Sequence, residues 1–489
     1  MAGNATWAVR PLDMEAPGAA PCARCLLLQT TFLARGAAMH DDSADGVARA
    51  DRRPDGLGRA GAAARDTNPG AGLDAVRRQN LSAILRRVHV AGPASRSDLV
   101  AYTGLNRSTV AALVADLSER GIVRERQSTS NGMPGRPSPV VDPDPNGVAV
   151  LALEVFADSL GAATIGLGGR IIAQTRIART RAPLPPEATA QALATIVGPL
   201  LAHPASSPAP RILAVGAAVA GLVRHGDGVV VHGPNLGWRD VPLARLLGDV
   251  LQLDVPVLVA NDGELAALAE HVRGAGVGCD DFVCLWAEVG IGAGIIAGGR
   301  PLTGRSGFAG EVGHLPLSPN RLPCHCGAVG CWETEVGEDA ILRAAGVPLT
   351  GGRPAVAAIV AAADRGDPVS LAALQLVGAW LGIGLAALVD LLNPGRIALG
   401  GLLALIHPHV RAPIERTLGN RALAASRAVA DIVPARLGTD GPLLGAAELA
   451  FESILADPAS VPRIPRSAPS TRTRRPRGGK EVRPGVLAN

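Results

Sequence analysis

The stretch "EVGHLPLSPNRLPCHCGAVGCWETE", Glu311 to Glu335, places three cysteines, two histidines and three glutamates in a segment of loop-forming residues. The whole chain has seven cysteines, so nearly half of them lie here. His314, Cys324, Cys326 and Cys331 stand in the order H-x9-C-x-C-x4-C. Three thiolates and an imidazole suit a four-coordinate zinc, and a site with no ligand to spare is structural rather than hydrolytic. Gly327 and Gly330 let the backbone turn so that Cys326 and Cys331 converge. His325 is the rival imidazole; side chains of neighbouring residues diverge, which favours His314 over a residue wedged between two ligands. Disulfides or free thiols are the alternative use of these cysteines, and the dense spacing favours metal. An ion here would fix Glu311, three residues before His314, and Glu333, two residues after Cys331. Two placed carboxylates can each accept hydrogen bonds from adjacent hydroxyls, which is what a hydroxyl-rich ligand needs.

The rest of the chain sets the frame for that segment. At 489 residues two or three folded units are expected. Hydrophobic residues make up 47% but aromatics only 2%, so the cores must be built from Ala, Val, Leu and Ile, as helices on parallel strands are. A net charge of +4 is small for this length and selects no class of partner. Lys480 is the single lysine, and the abundance of Ala, Gly and Arg reads as the coding bias of a GC-rich genome. The most apolar run, Leu376 to Val389, is shorter than the ~20 residues of a membrane span, so a buried helix and no membrane insertion are expected. Near the N-terminus "CLLLQTTFLA" lacks the basic start and small-residue cleavage pattern of a signal peptide. A cytoplasmic location is therefore the expectation; there cysteines stay reduced and clusters point to metal.

Residues 1–72 show no sustained periodicity and read as disordered, or as a translated upstream region; the isolated pair Cys22 and Cys25 has no second ligand pair and reads as chance. From Leu73 the pattern changes. "LDAVRRQNLSAILRRVHVAG" carries Val76, Leu81, Ile84, Leu85 and Val88 at helical spacing. "SRSDLVAYTGL" comes next as a short helix, with Ser95 and Asp98 placed for a capping box and Gly104 at the turn. "NRSTVAALVADLSERGIV" makes a third helix capped by Asn106, with Val110, Leu113, Val114 and Leu117 inward. That spacing is a helix-turn-helix. "IVRERQSTSNGMPGRPSPVVDP" then reads as two strands around a Gly/Pro-rich tip, a wing.

A plain three-helix bundle would share this pattern. The exposed start of the third helix, Asn106, Arg107, Ser108 and Thr109, instead offers polar groups where base edges are met in the major groove of an operator. The wing tip "PGRPSP" resembles AT-hook peptides and brings Arg136 forward as a minor-groove contact. "DPDPNG", Asp142 to Gly147, reads as a linker, and beyond it strands and helices alternate in an α/β pattern to about residue 456. The tail from Pro458 reads as disordered, its run "RTRRPRGGK" solvated rather than bound to phosphates.

Taken in order, "PNLGWRDVPL", "VPVLVANDGELAALAE", "GIGAGII", "GEVGH…CHCGAVGCWE" and "LNPGRIALGG" resemble the ROK family of repressors, open reading frames and sugar kinases. The resemblance covers about Gly147 to Leu455, and the preceding winged helix matches the family's repressor branch. It implies an α/β chain with an N-terminal winged helix-turn-helix and a two-lobed actin-like (ribonuclease H-like) sugar-kinase fold. The expected boundaries are 73–141 for the winged helix, 147–262 with about 436–456 for the first lobe, 263–435 for the second and 457–489 for the tail. It further implies zinc at His314, Cys324, Cys326 and Cys331, and sugar contacts from Asn261, Asp262, Glu311, His314 and Glu333. Asp262 would be the catalytic base in a kinase; an Asp that merely caps the helix beginning at Gly263 is the alternative.

Two phosphate loops separate kinase from regulator. Where family kinases have a DxGGT turn, Glu154, Phe156, Ala157 and Asp158 occupy the motif positions. Where they have GTGxG, this chain reads "EVGIG", with Glu288 and Val289 in place of Gly and Thr, while Gly290, Gly292 and Gly294 remain. The resemblance therefore points to a sugar-responsive DNA-binding regulator, a repressor acting as a homodimer or homotetramer on paired half-sites of duplex DNA. An ATP-dependent sugar kinase carrying a DNA-binding domain is the alternative, and control by protein sequestration would leave no mark in the sequence.

Overall fold

The computed structural model describes residues 69–127, 138–181, 183, 185–202 and 209–464. The lead helix spans Pro69–Ala91, beginning four residues before the apolar periodicity starts at Leu73. A short helix, Arg96–Thr103, has the expected capping box between Ser95 and Asp98, and ends on Gly104 in the left-handed conformation (φ 69°) that glycine adopts without strain. The third helix is Arg107–Glu119. Its wing has three strands rather than two: β1 (Ala94–Ser95), β2 (Val123–Arg126) and β3 (Val140–Pro143), with β3 in the centre and both pairings antiparallel. The wing tip with Arg136 lies outside the described residues.

The expected linker is a tight turn. β3 runs to Pro143, Gly147 N–H donates to the Asp144 carbonyl, and β4 starts at Val148. Two five-stranded sheets of the same topology come next. The first orders β11 (Val257–Asn261), β7 (Arg211–Val219), β4 (Val148–Val155), β5 (Ser159–Gly166) and β6 (Arg170–Ala178). The second orders β14 (Arg300–Pro301), β13 (Ile291–Ala297), β12 (Phe282–Ala287), β15 (Arg396–Gly401) and β16 (Asp431–Pro434). In each, three antiparallel strands are followed by two parallel ones. β4 is buried along its whole length, as a central strand covered on both faces must be. A small sheet of β8 (Leu222–Val223), β9 (Val230–Gly233) and β10 (Trp238–Val241) closes one end of the first lobe.

Between the sheets lie two helices, Asp262–Arg273 (the cleft helix) and Gly441–Ala456 (the closing helix). They pack on each other, the closing helix against β4 and β7 and the cleft helix against β12 and β13. Glycine makes that approach close enough. A Cβ on Gly445 would sit 1.9 Å from the Leu265 carbonyl oxygen, and one on Gly294 would sit 2.3 Å from Ala267 Cβ. Gly294 therefore serves helix-on-strand packing rather than a turn. The longest apolar segment is one helix, Pro368–Leu392, whose length and composition would suffice to cross a membrane; here its inner face is buried in the second lobe's core with Leu374, Leu381 and Leu385.

The winged helix is not a loosely tethered head. Leu81, Ile84, Leu85 and Val88 of the lead helix belong to the same apolar cluster as Phe451 and Leu455 of the closing helix. At about 1.5–3 kcal/mol per fully buried aliphatic side chain, those four residues contribute on the order of 6–12 kcal/mol before entropy is counted. The segment after the closing helix also departs from expectation. Pro458–Ser460 forms a 3-10 turn, Val461 is buried, and the chain is laid against the third helix as far as Ile464. The sequence missed this because Pro- and Arg-rich composition signals disorder only when no acidic partner lies nearby.

Candidate functional site

A concavity opens between the lobes, where β11 ends and the cleft helix begins. Asn261, not Asp262, caps that helix: its Oδ1 accepts from Gly263 N–H (2.8 Å) and Glu264 N–H (3.1 Å), and its amide donates to the Gly221 carbonyl (3.0 Å). The cap explanation of Asp262 is thereby displaced, and its carboxyl is left at the cleft. Burial, reinforced by Glu311 and Glu288, pushes the Asp262 carboxyl up to about 7.

Glu311, His314 and Glu333 form the opposite wall. His314 Nε2 lies 3.7 Å from Glu311 and its Nδ1 lies 3.7 Å from Glu333 Oε1. The ring therefore stands between the two carboxylates. Behind it, the ligand atoms of His314, Cys324, Cys326 and Cys331 all lie within 4.8 Å of one another. Cys326 Sγ is 3.8 Å from Cys331 Sγ, and Cys324 Sγ is 3.6 Å from His314 Nδ1. A tetrahedron with Zn–S of about 2.3 Å and Zn–N of about 2.0–2.1 Å has S–S and S–N edges of roughly 3.8 and 3.6 Å. The cluster could thus hold a metal ion with little movement. His325 is exposed and outside this group. Burial and the adjacent Glu333 push the Cys324 thiol well up, and the thiol donates to Glu333 Oε1 at 2.8 Å. Trp332, between Cys331 and Glu333, is fully buried and donates through its indole to the Trp380 carbonyl (2.9 Å), tying the cysteine loop to the second core.

The cleft encloses about 140 Å³. That is close to the ~150 Å³ that accommodates one six-membered ring, and the cleft opens to solvent beyond it. Its charged lining is acidic, with Asp262, Glu288, Glu311 and Glu333 against the imidazoles of His232 and His314. His232, Asn235 and Trp286 line it as well, and sequence reasoning did not single them out. Asn235 was within reach, because it stands inside the motif "PNLGW".

The acidic residues of the two stretches compared above with kinase phosphate motifs, Glu154 and Glu288, are both ion-paired. Glu154 is fully buried and receives Arg176 in a bidentate pair (2.7 and 2.9 Å); burial raises its carboxyl to about 6 despite Arg176. Glu288 receives Arg353 (both oxygens at 3.1 Å), and burial raises it to about 7 against that pairing. Arg181 spans the lobes from Asp158 (3.5 Å) to the buried Glu338 (2.7 Å). Phe156 is buried in the β4–β5 turn and lines the cleft.

A second polar cluster ties the cleft helix to the winged helix. Arg273, its last residue, donates through Nε to Glu448 Oε1 (2.6 Å) and through Nη1 to the His89 carbonyl of the lead helix (3.2 Å). His89 Nδ1 accepts from Gly168 N–H (3.1 Å), and its Nε2 lies 2.9 Å from Glu448 Oε2 and 2.7 Å from Arg273 Nη2. Nearby, Arg86 pairs with both oxygens of Glu452. The cleft helix thus begins at the cleft and ends against the lead helix. At the start of the third helix, Arg107 and Ser108 are exposed, while the Asn106 side chain accepts from Ser108 Oγ (2.7 Å) and Thr109 N–H (2.8 Å).

Residues 150–453 match the ROK family, and residues 80–127 match the IclR helix-turn-helix domain. The xylose repressor of Bacillus subtilis (strain 168) is 29% identical over 381 residues, covering 78% of this chain and 97% of the repressor. The glucokinase of Streptomyces coelicolor is 31% identical over 320 residues, covering 62% of this chain and 97% of the kinase. The crystal structure of a ROK family transcriptional regulator, a homologue of the E. coli MLC protein, superposes with a TM-score of 0.64 at 26% identity, covering 78% of this chain and 98% of that one. With its matching model spanning well over half of the chain and a helix-turn-helix ahead of it, this protein belongs to the ROK family.

Proposed function

We propose that the protein is a sugar-responsive, DNA-binding transcriptional repressor of carbohydrate genes, acting in the cytoplasm as a symmetric oligomer. One observation carries the reading. A sugar-sized acidic cleft and a winged helix share one chain, and the acidic residues of the two stretches compared with kinase phosphate motifs are ion-paired. The alignment with the xylose repressor extends over 78% of the chain, against 62% for the glucokinase, and residues 80–127 match a helix-turn-helix domain in their own right. The sugar would be held by Asp262, Glu311, His314 and Glu333, with Asn261 setting the angle of the helix that presents Asp262. Four carboxylates in the lining disfavour a phosphorylated ligand and favour an uncharged sugar.

Zinc at His314, Cys324, Cys326 and Cys331 would act structurally, locking the loop that carries Glu311 and Glu333. Metal binding takes up thiolates, so Cys324 would no longer donate to Glu333, and that carboxylate would become free to accept from a sugar hydroxyl. The four residues named at the recognition helix, with Arg136 of the wing, are the proposed DNA contacts.

A thermal-shift screen of neutral sugars and sugar phosphates tests the sensor, because a ligand of the native state raises its stability. Operator binding titrated with the best hit tests the coupling. Sugar-dependent ATP consumption by the pure protein would instead establish the kinase reading, which the 31% identity to a glucokinase keeps specific.

A further inference from the structure

Polar fastenings of the third helix, Arg107–Glu119, gather at its C-terminal end. Asp116 is 4% exposed and is met by guanidinium groups from three segments: Arg77 of the lead helix (2.8 Å), Arg120 of the helix's own C-cap (3.1 Å) and Arg463, beyond the closing helix (2.7 Å). Burial by itself would raise that carboxyl, but Arg77 and Arg463 outweigh it and hold it below the usual carboxylate range. Arg463 also reaches the Glu119 side chain (3.3 Å). The last carbonyls of a helix have no partner within it. Here Ile464 N–H donates to the Glu119 carbonyl (2.9 Å), and Arg211 of β7 donates to the Arg120 carbonyl and to the Pro462 carbonyl (2.9 Å). Arg120 in turn donates to the Ala459 carbonyl (2.6 Å) and the Val461 carbonyl.

Packing closes the same end. A Cβ on Gly121 would lie 2.4 Å from Ile464 Cδ1, and one on Gly147 would lie 1.9 Å from the Gly121 carbonyl oxygen. The helix end is wedged between a strap, residues 457–464, and the turn that leads into β4. The strap continues the closing helix, whose Glu448 and Glu452 meet His89 and Arg86 of the lead helix. One element of the ROK body therefore holds both the lead helix and the third helix. At the far end of the third helix Arg107 and Ser108 are exposed. Its 13 residues put the two ends about 20 Å apart. Roughly 10° of tilt at the clamped end carries the far end ~3.5 Å, more than the length of a hydrogen bond to a base edge.

Resting on the DNA-binding reading above, we propose that the strap positions the third helix for sequence recognition: Arg463, by clamping Asp116 and Glu119, fixes the angle at which Arg107, Ser108 and Thr109 meet base edges. Arg463 acts through the helix it holds and is a positioning residue rather than a base contact. Attraction to phosphates depends on charge and tolerates a tilted helix, whereas discrimination between bases depends on the placement of donors and acceptors. Loosening the clamp therefore costs specificity before it costs affinity for DNA of any sequence.

The experiment uses full-length proteins: the parent, Arg463→Gln, Arg463→Lys, and the double variant Val461→Gly with Arg463→Gln, which also gives up the buried Val461 side chain. Each is titrated against a duplex that the parent selects from a random pool and against a duplex of random sequence. One NaCl concentration is kept throughout, because such affinities compare only at fixed salt. The ratio of the two affinities is expected to fall at least about tenfold in the double variant, with random-duplex binding within about threefold of the parent's. Arg463→Gln should lose less, and Arg463→Lys, which keeps a charged donor for Asp116, should recover part of that loss. Hydrogen exchange should quicken in the third helix of the double variant and stay as in the parent in the cleft helix, which checks that the body is intact. A ratio within about twofold of the parent's in the double variant overturns the proposal, whether or not exchange quickens. Equal losses on both duplexes overturn it as well, since a positioning residue acts on discrimination. If the parent selects no sequence from the pool, the DNA-binding reading itself falls, and this proposal falls with it.

Discussion

Replacing Glu448 by Gln probes the joint between sensor and reader. The Glu448 side chain is 5% exposed and receives Arg273 and His89. Burial by itself would raise its carboxyl, but the adjacent His89 and Arg273 outweigh that and hold it down at about 2, against 4.5 for a free group. At about 1.4 kcal/mol per pH unit, the ionised carboxylate stabilises the folded joint by ~3 kcal/mol. Breaking a buried ion pair from one side costs about 3–5 kcal/mol, because Arg273 would stay buried without its counter-charge. The two routes agree in size.

The depressed value sets the sign. This contribution is complete above pH 4.5 and is lost as pH falls towards 2, so parent and variant differ most at neutral pH and converge in acid. Hydrogen exchange of the lead helix is the assay, since it reads opening of that element rather than of the whole molecule. At pH 7 a loss of ~3 kcal/mol corresponds to exchange on the order of a hundredfold faster in Glu448→Gln. Equal protection at pH 7, or a difference that persists undiminished near pH 3, would refute the reasoning.

Cys326→Ser should lose the bound metal, measured by elemental analysis of the reduced protein, and with it sugar binding, because Glu311 and Glu333 lose their anchor. Asp262→Asn should be more stable than the parent at pH 8 and equal to it near pH 4: the raised carboxyl destabilises the sugar-free fold only once pH climbs past 3.8 towards 7, and thermal midpoints across that window read it. The same variant and Glu333→Gln should need at least about tenfold more sugar for the operator response, roughly 1.4 kcal/mol, with sugar-free operator binding unchanged; an unaltered dose would place the effector elsewhere. Arg107→Ala should flatten base preference on selected operators more than it weakens random-duplex binding, since a bidentate contact to guanine discriminates by about 1–3 kcal/mol.

The parts of this protein that its sequence alone determined are those set by local chemistry. The capping box of Ser95 and Asp98, the left-handed Gly104 and the inward face of Val110, Leu113, Val114 and Leu117 depend on neighbours a few residues away, and periodicity exposes them. The cysteine cluster was legible for a similar reason: ligands within eighteen residues, spaced by glycines, have few other ways to fold. Tertiary structure decided what depends on distant partners. Asn261 took the helix cap because the Gly221 carbonyl lies 3.0 Å from its amide, and that freed Asp262 for the cleft. His89, Arg273 and Glu448 look like ordinary surface charges in their helices, yet three separate segments bury them together. The segment from Pro458 to Ile464 reads as disordered tail until Asp116 and Glu119, more than three hundred residues earlier, are seen to receive it. A buried charge is stable only beside its counter-charge, and which residues become such neighbours is settled by packing across the whole chain rather than by spacing along it.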